Sequence, residues 1–338
     1  MLPADQVARH PLAQRDGARL LVVDDTLQDR AVTDLPTLLR RGDVVVVNDV
    51  RVRKARIAAR RDSGGAVEVL VLRADGDVAE VLVRPARKVR VGEVLRAGPG
   101  AIRVLEKFDE GRATVQFSPS LDAVEAAVGS VPLPPYLERA AEADDEARYQ
   151  TIFARPSALA AAAAPTAGLH LSAELLDRLR GVGALVVAVT LEVGLGTFRP
   201  LTPQVLARGR LHPERFSVPG ETWAAVSAAR AEGRRVVAVG TTAVRVLESA
   251  SGAGPGETDV FLREGWVPAR VDALFTNFHL PRSSLLMLVA AFAGRERVLS
   301  AYAHAVAQGY RFFSYGDACF FPRRTTALPF ADGEPAAR

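Results

Sequence analysis

Four short polar clusters carry the groups that chemistry would need: Asn48-Asp49-Val50-Arg51, Glu192-Val193-Gly194-Leu195-Gly196-Thr197-Phe198, Gly240-Thr241-Thr242 and Thr276-Asn277-Phe278-His279. Each comes just after an apolar run that reads as a strand. Any one alone suits an ordinary turn, since Gly, Asn, Asp and Thr form turns for local reasons. Four at equivalent topological positions point to one crevice. Three histidines stand in polar or Gly/Pro-bounded loops: His170 after Thr166-Ala167-Gly168-Leu169, His212 before Pro213-Glu214, and His279 before Pro281. A loop histidine beside a crevice can serve as acid or base near neutral pH, and a surface or packing role is open to each. Gly240-Thr241-Thr242 begins a helix through Arg245 and Glu248. Its first N–H groups and two hydroxyls suit a carboxylate or a phosphate, and a plain N-cap by Thr241 or Thr242 fits equally. In Tyr310-Arg311-Phe312-Phe313-Ser314-Tyr315-Gly316-Asp317 the aromatics suit either stacking on a base or packing in a core.

The elements that must position these groups alternate along the chain. Val44 to Val47, Leu185 to Val193, Arg235 to Val239 and Ala273 to Phe275 read as buried strands. Between them Leu35 to Arg41, a segment capped by Ser172 with Leu175, Leu176 and Leu179 on one face, Thr222 to Glu232, and Ser284 to Ala293 closed by Gly294 read as helices. Strand then helix, repeated, predicts an α/β domain with a largely parallel sheet and ligands at the carboxyl ends of its strands. From Ile57 to Leu133 the texture changes to short strands separated by Gly, Asp and Pro, which predicts an inserted antiparallel β-barrel. The expected division is 1–56 with 134–324 for the α/β domain, 57–133 for the barrel, and a mobile tail over 325–338.

Composition narrows the classes. With 338 residues, 49% hydrophobic and 24% charged, the chain has enough length for two folded domains and is neither disordered nor a coiled coil. No apolar stretch approaches the roughly 18 to 20 residues of a bilayer span, and MLPADQVARHPLAQRD has no signal-peptide core, so a cytoplasmic protein is expected. One cysteine, Cys319, and five scattered histidines argue against disulfides and a structural metal. No GxxxxGK[ST] or GxGxxG occurs, which disfavours a P-loop nucleotidase or a Rossmann dehydrogenase. The net charge of +4 rests on arginine, the only lysines being Lys54, Lys88 and Lys107. Guanidinium matches phosphate geometry, so a nucleic-acid partner is compatible, as is a plain arginine-biased surface.

Taken together, YQTIFA, AAPTAGLHLS, VTLEVGLGTFRP, LHPERFSV, VVAVGTTAVRVLES, TNFHLPRSSLLMLVAAFAG and YRFFSYGDA, with GDVVVVNDVRVRKARI and LPPYLER, resemble the S-adenosylmethionine:tRNA ribosyltransferase-isomerase family of queuosine biosynthesis. The order and spacing match over nearly the whole chain to about Ala318. The resemblance implies an enzyme that moves the ribosyl unit of S-adenosylmethionine onto the aminomethyl group of 7-aminomethyl-7-deazaguanine in tRNA. The unit rearranges to an epoxycyclopentane as adenine and methionine leave. S-adenosylmethionine is then a consumed substrate, with no other cofactor, no metal and a monomer expected. The sulfonium acidifies the ribose C5′–H, so a positioned base starts the reaction, and the tRNA amine serves as nucleophile.

Carried onto this chain, the resemblance places His170, His279, Glu192 and Asp317 as catalytic candidates. It places Asn48, Asp49, Arg51, Thr166, Gly168, Gly194, Gly196, Thr197, His212, Glu214, Gly240, Thr241, Thr242, Arg245, Asn277 and Tyr315 around the substrates. The densest basic clusters, Arg51, Arg53, Lys54 and Arg56, then Arg84, Arg87, Lys88 and Arg90, are the expected tRNA contacts. Four positions depart from the family pattern: Glu192 and Leu195 in its usual His-Val-Gly-Ala-Gly-Thr-Phe, Val50 in its Asn-Asp-Thr-Arg, and Leu171 where an aromatic usually follows the loop histidine. They leave two other readings, a paralogue with another amine acceptor and a catalytically idle RNA-binding relative.

Overall fold

The computed structural model describes residues 2–156, 160–194, 201 and 203–323. Val44–Asn48 sets the frame: β-branched side chains suit a pleated surface, and all five residues are buried. Burial on both faces is what a parallel sheet under helices requires. A nine-stranded sheet follows, in the spatial order Gly254–Val260, Arg210–Val218, Leu185–Leu191, Val44–Asn48, Val236–Val239, Ala273–Asn277, Ala318–Pro322, Arg19–Val23 and Leu27–Ala31. The four central strands, Leu185–Leu191 to Ala273–Asn277, run parallel, and antiparallel pairs flank them on both sides.

Side-chain alternation divides the core into two layers. Val44, Val46, Ala238 and Leu274 enter the cluster that holds Val244, Leu247 and Phe278. Val45, Val47, Val239 and Phe275 enter the one that holds Leu175, Leu176 and Leu179. The helix Ala173–Gly181 starts where Ser172 Oγ accepts the Leu175 N–H at 3.0 Å, as its sequence predicts. The helix Ser284–Ala293 likewise stops at Gly294, whose φ of 90° an L side chain rarely adopts.

The inserted segment folds as expected. Arg56–Arg60, Ala66–Asp75, Val78–Arg84, Arg112–Ser118, Gly100–Lys107 and Val94–Ala97 form an antiparallel sheet that Arg60 closes by pairing with Arg96. Closure removes free edges and gives the barrel its own core of Ile57, Val69, Val81, Leu95, Ile102 and Phe117.

Three local readings change. The Leu35 to Arg41 helix is a single turn, Leu35–Leu38. His212, expected in a loop, lies on Arg210–Val218, where a bulge between Arg210 and Glu214 absorbs Pro213. Neither Thr241 nor Thr242 caps Gly240–Ser249: Val239 holds the cap position with no side-chain bond, and both threonines are inside the helix. The tail over 325–338 lies outside the described residues.

Candidate active site

Register brings the polar clusters together. Val189 lies opposite Asn48, Ala238 opposite Val46, and Val239 opposite Phe275. The carboxyl ends of these parallel strands therefore share one edge, with Asn48, Gly240 and Asn277 side by side. Asn48 ties that edge: its Oδ1 accepts the N–H groups of Val50 (3.1 Å) and Leu191 (3.0 Å), and its Nδ2 donates to the Leu191 carbonyl at 3.3 Å. Asp49 accepts from Thr190 Oγ1 at 2.6 Å and stands 3.7 Å from Arg155, and burial holds its carboxyl above the usual range.

His170, expected in a loop, lies on the short 3-10 helix Thr166–His170, which packs over the same edge, and a side chain on Gly240 would meet Ala167 Cβ at 3.4 Å. Asn277 is its anchor. Thr166 Oγ1 donates to Asn277 Oδ1 at 3.0 Å, which fixes the amide, and Asn277 Nδ2 then donates to the Phe313 carbonyl and faces His170 Nε2, both at 3.1 Å. His170 Nε2 is therefore the acceptor, and its proton belongs on Nδ1. The imidazole stands edge-on to Phe275, 5.9 Å between centroids. Burial first, and the Arg311 charge second, push its pKa down to about 4, opposed by a hydrogen bond with the Arg15 backbone.

His279 reaches the edge from the other side. Its Nε2 lies 2.9 Å from Thr276 Oγ1, and its backbone N–H donates to Tyr302 Oη at 2.8 Å. Thr276 and Asn277 are consecutive in one strand, so they point to opposite faces of the sheet and carry the two histidines apart. Burial pushes the His279 pKa to about 4 as well.

The remaining expected residues hold the frame. Glu192 is buried, and Arg215 grips both its oxygens, Nε to Oε2 at 2.6 Å and Nη2 to Oε1 at 2.8 Å; the same Nη2 reaches the Ala74 carbonyl in the barrel at 3.3 Å. This carboxylate thus links sheet to barrel. Glu214 accepts the Gly194 N–H at 2.9 Å and pairs with buried Arg245. Asp317 is held by the backbone N–H groups of Arg19 (2.9 Å) and Arg311 (2.8 Å), with burial raising its pKa. Tyr315 donates to Asp145 at 2.8 Å, and Tyr310, Phe312, Phe313 and Tyr315 are all buried, so packing rather than stacking on a base is their place. Gly168 fits against Phe153 and Thr151, whose atoms would lie 2.9 Å from a Cβ there. Exposed His212 is outside this group, and Gly196 and Thr197 lie outside the described residues.

The basic clusters divide. Arg53 is 2.7 Å from Glu125, Lys54 is 2.8 Å from Glu146, and Arg56 is 3.6 Å from Glu68. Arg51, Arg84, Arg87, Lys88 and Arg90 are exposed, with no carboxylate at ion-pair distance among the described residues. Sequence reasoning missed Arg15 and Arg148, which line a cleft with His170, Ser314 and Tyr315. They stand alone in unremarkable segments, and no motif marks them.

A profile of the family described as "Queuosine biosynthesis protein" matches residues 1–321. The chain belongs to that family. It is 48% identical to the S-adenosylmethionine:tRNA ribosyltransferase-isomerase of Azoarcus sp. and 47% identical to that of Thiobacillus denitrificans, each over 97% of both chains. The crystal structure of S-adenosylmethionine tRNA ribosyltransferase from Thermotoga maritima is similar at 33% identity and a TM-score of 0.54, covering 95% of this chain and 98% of that one. Among the described residues no helix is long and apolar enough to cross a membrane.

Proposed function

We infer that this protein is a transferase-isomerase that moves the ribosyl unit of S-adenosylmethionine onto tRNA and isomerises it. The acceptor is the aminomethyl group of 7-aminomethyl-7-deazaguanine at the wobble position, the product is epoxyqueuosine, and adenine and methionine are released. S-adenosylmethionine is consumed as substrate, no other cofactor takes part, the protein works as a monomer, and its tRNA substrate places it in the cytoplasm. The observation that carries this reading is the 48% identity sustained over 97% of both chains.

The geometry adds chemistry. A pKa of about 4 keeps His170 neutral at physiological pH, with its Nε2 lone pair directed by Asn277. Nε2 takes the C5′ proton after exchanging the Asn277 amide for the substrate C–H, and Nδ1–H keeps the ring oriented. His279, neutral for the same reason, remains the second acid/base candidate. Departing adenine needs a proton or a hydrogen bond, and the tRNA amine attacks without a covalent protein nucleophile. Exposed Arg51, Arg84, Arg87, Lys88 and Arg90 are the cations open to tRNA phosphates.

The other readings rest on Val50, Glu192 and Leu195. Val50 is wholly buried in the core and Glu192 is spent on Arg215, so neither offers a group to a different acceptor; Leu195 lies outside the described residues. Adenine release is the test. It is expected only with tRNA carrying the aminomethyl base, and release with unmodified tRNA, or none with either, overturns the reading.

A further inference from the structure

Two guanidinium groups from distant parts of the chain line the cleft beside His170, and a third stands near that histidine. Arg15 and Arg148 line it with His170 and Tyr315, and Arg311 stands close enough for its charge to act on His170. Arg15 donates from Nη2 to the Ala147 carbonyl at 2.7 Å. Arg148 donates from Nη1 to the Ala13 carbonyl at 2.9 Å and from Nη2 to that of Leu12. Arg311 donates from Nη2 to the His10 carbonyl at 2.6 Å. None of the three stands at ion-pair distance from a carboxylate among the described residues. Asp317 meets Arg311 at the backbone N–H and feels its charge from beyond ion-pair distance, and Asp145 is already held by both terminal nitrogens of Arg139, at 2.5 and 2.8 Å.

Each guanidinium also keeps a buried nitrogen without a hydrogen-bond partner: Arg15 Nη1, Arg148 Nε and Arg311 Nη1. Burial first, and the Arg148 charge second, lower the proton affinity of Arg15, so these two cations repel. Such an arrangement is unfavourable by itself and becomes favourable once an anion supplies both charge and acceptors. Planar guanidinium forks match the oxygens of a phosphate or a carboxylate.

We propose that this cleft is an oxyanion-binding site, which seats a charged group of a substrate next to His170. The proposal rests on the ribosyl-transfer reading for its two sources of that group, a phosphate of the tRNA and the carboxylate of the methionyl moiety. The anion would bridge the N-terminal segment around Arg15, the segment around Arg148 and the turn at Arg311, and so fix the short 3-10 helix that carries His170.

The test compares wild type with Arg15→Gln and Arg15→Gln/Arg311→Gln by three readouts: the rise in Tm on adding inorganic phosphate, tRNA affinity at stepped salt concentrations, and KM for S-adenosylmethionine. Loss of a charge-assisted contact should weaken one substrate by roughly tenfold or more. If the source is the RNA, the log–log salt slope flattens by about 0.7 to 0.9 for each arginine lost. If it is the methionyl carboxylate, KM rises and that slope is unchanged. A folded double variant that keeps its phosphate response and holds both affinities within about twofold of wild type overturns the site. Arg15→Gln alone forfeits one carbonyl bond and decides the matter if the double variant does not fold. Failure of the ribosyl-transfer reading is separate: wild type then releases no adenine, and the phosphate titration still reports on the cleft.

Discussion

His170 and His279 have the same side chain, similar burial and the same depressed pKa of about 4, yet they sit in different surroundings. His170 faces Asn277, whose amide is fixed by Thr166 and Phe313, and borders a cleft lined by Arg15 and Arg148. His279 touches Thr276 Oγ1 and, through its backbone, Tyr302. Burial alone makes a histidine neutral. A fixed tautomer, an adjacent charge and an opening give that neutrality a use, so the two histidines are expected to behave differently when changed.

The widest separation should appear in turnover. His170→Ala is expected to lower kcat by roughly 10² to 10⁴ while the fold is retained, and His279→Ala by less than about tenfold. Equal losses in adenine release would abolish the distinction, and wild-type-like turnover in both would remove the histidines from the chemistry. Next in size, Asn277→Ala should cut kcat about 10 to 100-fold because it frees the imidazole of its imposed tautomer. Thr276→Val, which removes the hydroxyl beside His279, should leave kcat within about twofold in the same assay.

Stability against pH sharpens the comparison further. Both histidines have folded pKa values near 4 against an ordinary 6.5, so between those values the unfolded chain binds more protons and the fold weakens as pH falls. Each should cost about 2 kcal/mol by pH 5 relative to pH 7. Denaturant titrations of His170→Gln and His279→Gln should each lose about half of that dependence, and an unchanged dependence in either would contradict its depressed pKa. The smallest effect concerns Arg311. Its charge lowers the His170 pKa and is not among the causes acting on His279, so Arg311→Gln should raise the former and leave the latter in place, as NMR titration of the two rings would read.

Much of the frame was legible beforehand. The four-valine run Val44 to Val47, the Ser172 cap and the Gly294 stop are local statements, and the structure matches them because propensity and capping act within a few residues. The convergence of Asn48, Gly240 and Asn277 was legible too, since parallel strands must align their carboxyl ends. His212 was misplaced because Pro213 reads as a loop signal, whereas a bulge accommodates it within a strand. Glu192 read as a substituted base because the sequence gives no sign that Arg215, on the neighbouring antiparallel strand, would take both its oxygens.

By itself, then, the sequence determined the alternation of strand and helix, the inserted barrel, and which residue types end up at the strand ends, all of which follow from short-range periodicity and turn chemistry. Only the tertiary structure decided that His170 and His279 approach one strand from opposite faces, and that Arg15 and Arg148 line one cleft with His170 while the Arg311 charge acts on the same imidazole. The partners of a charge or an imidazole are chosen by tertiary packing across long stretches of sequence, 301 positions between Arg311 and His10. Local pattern carries no record of those distances.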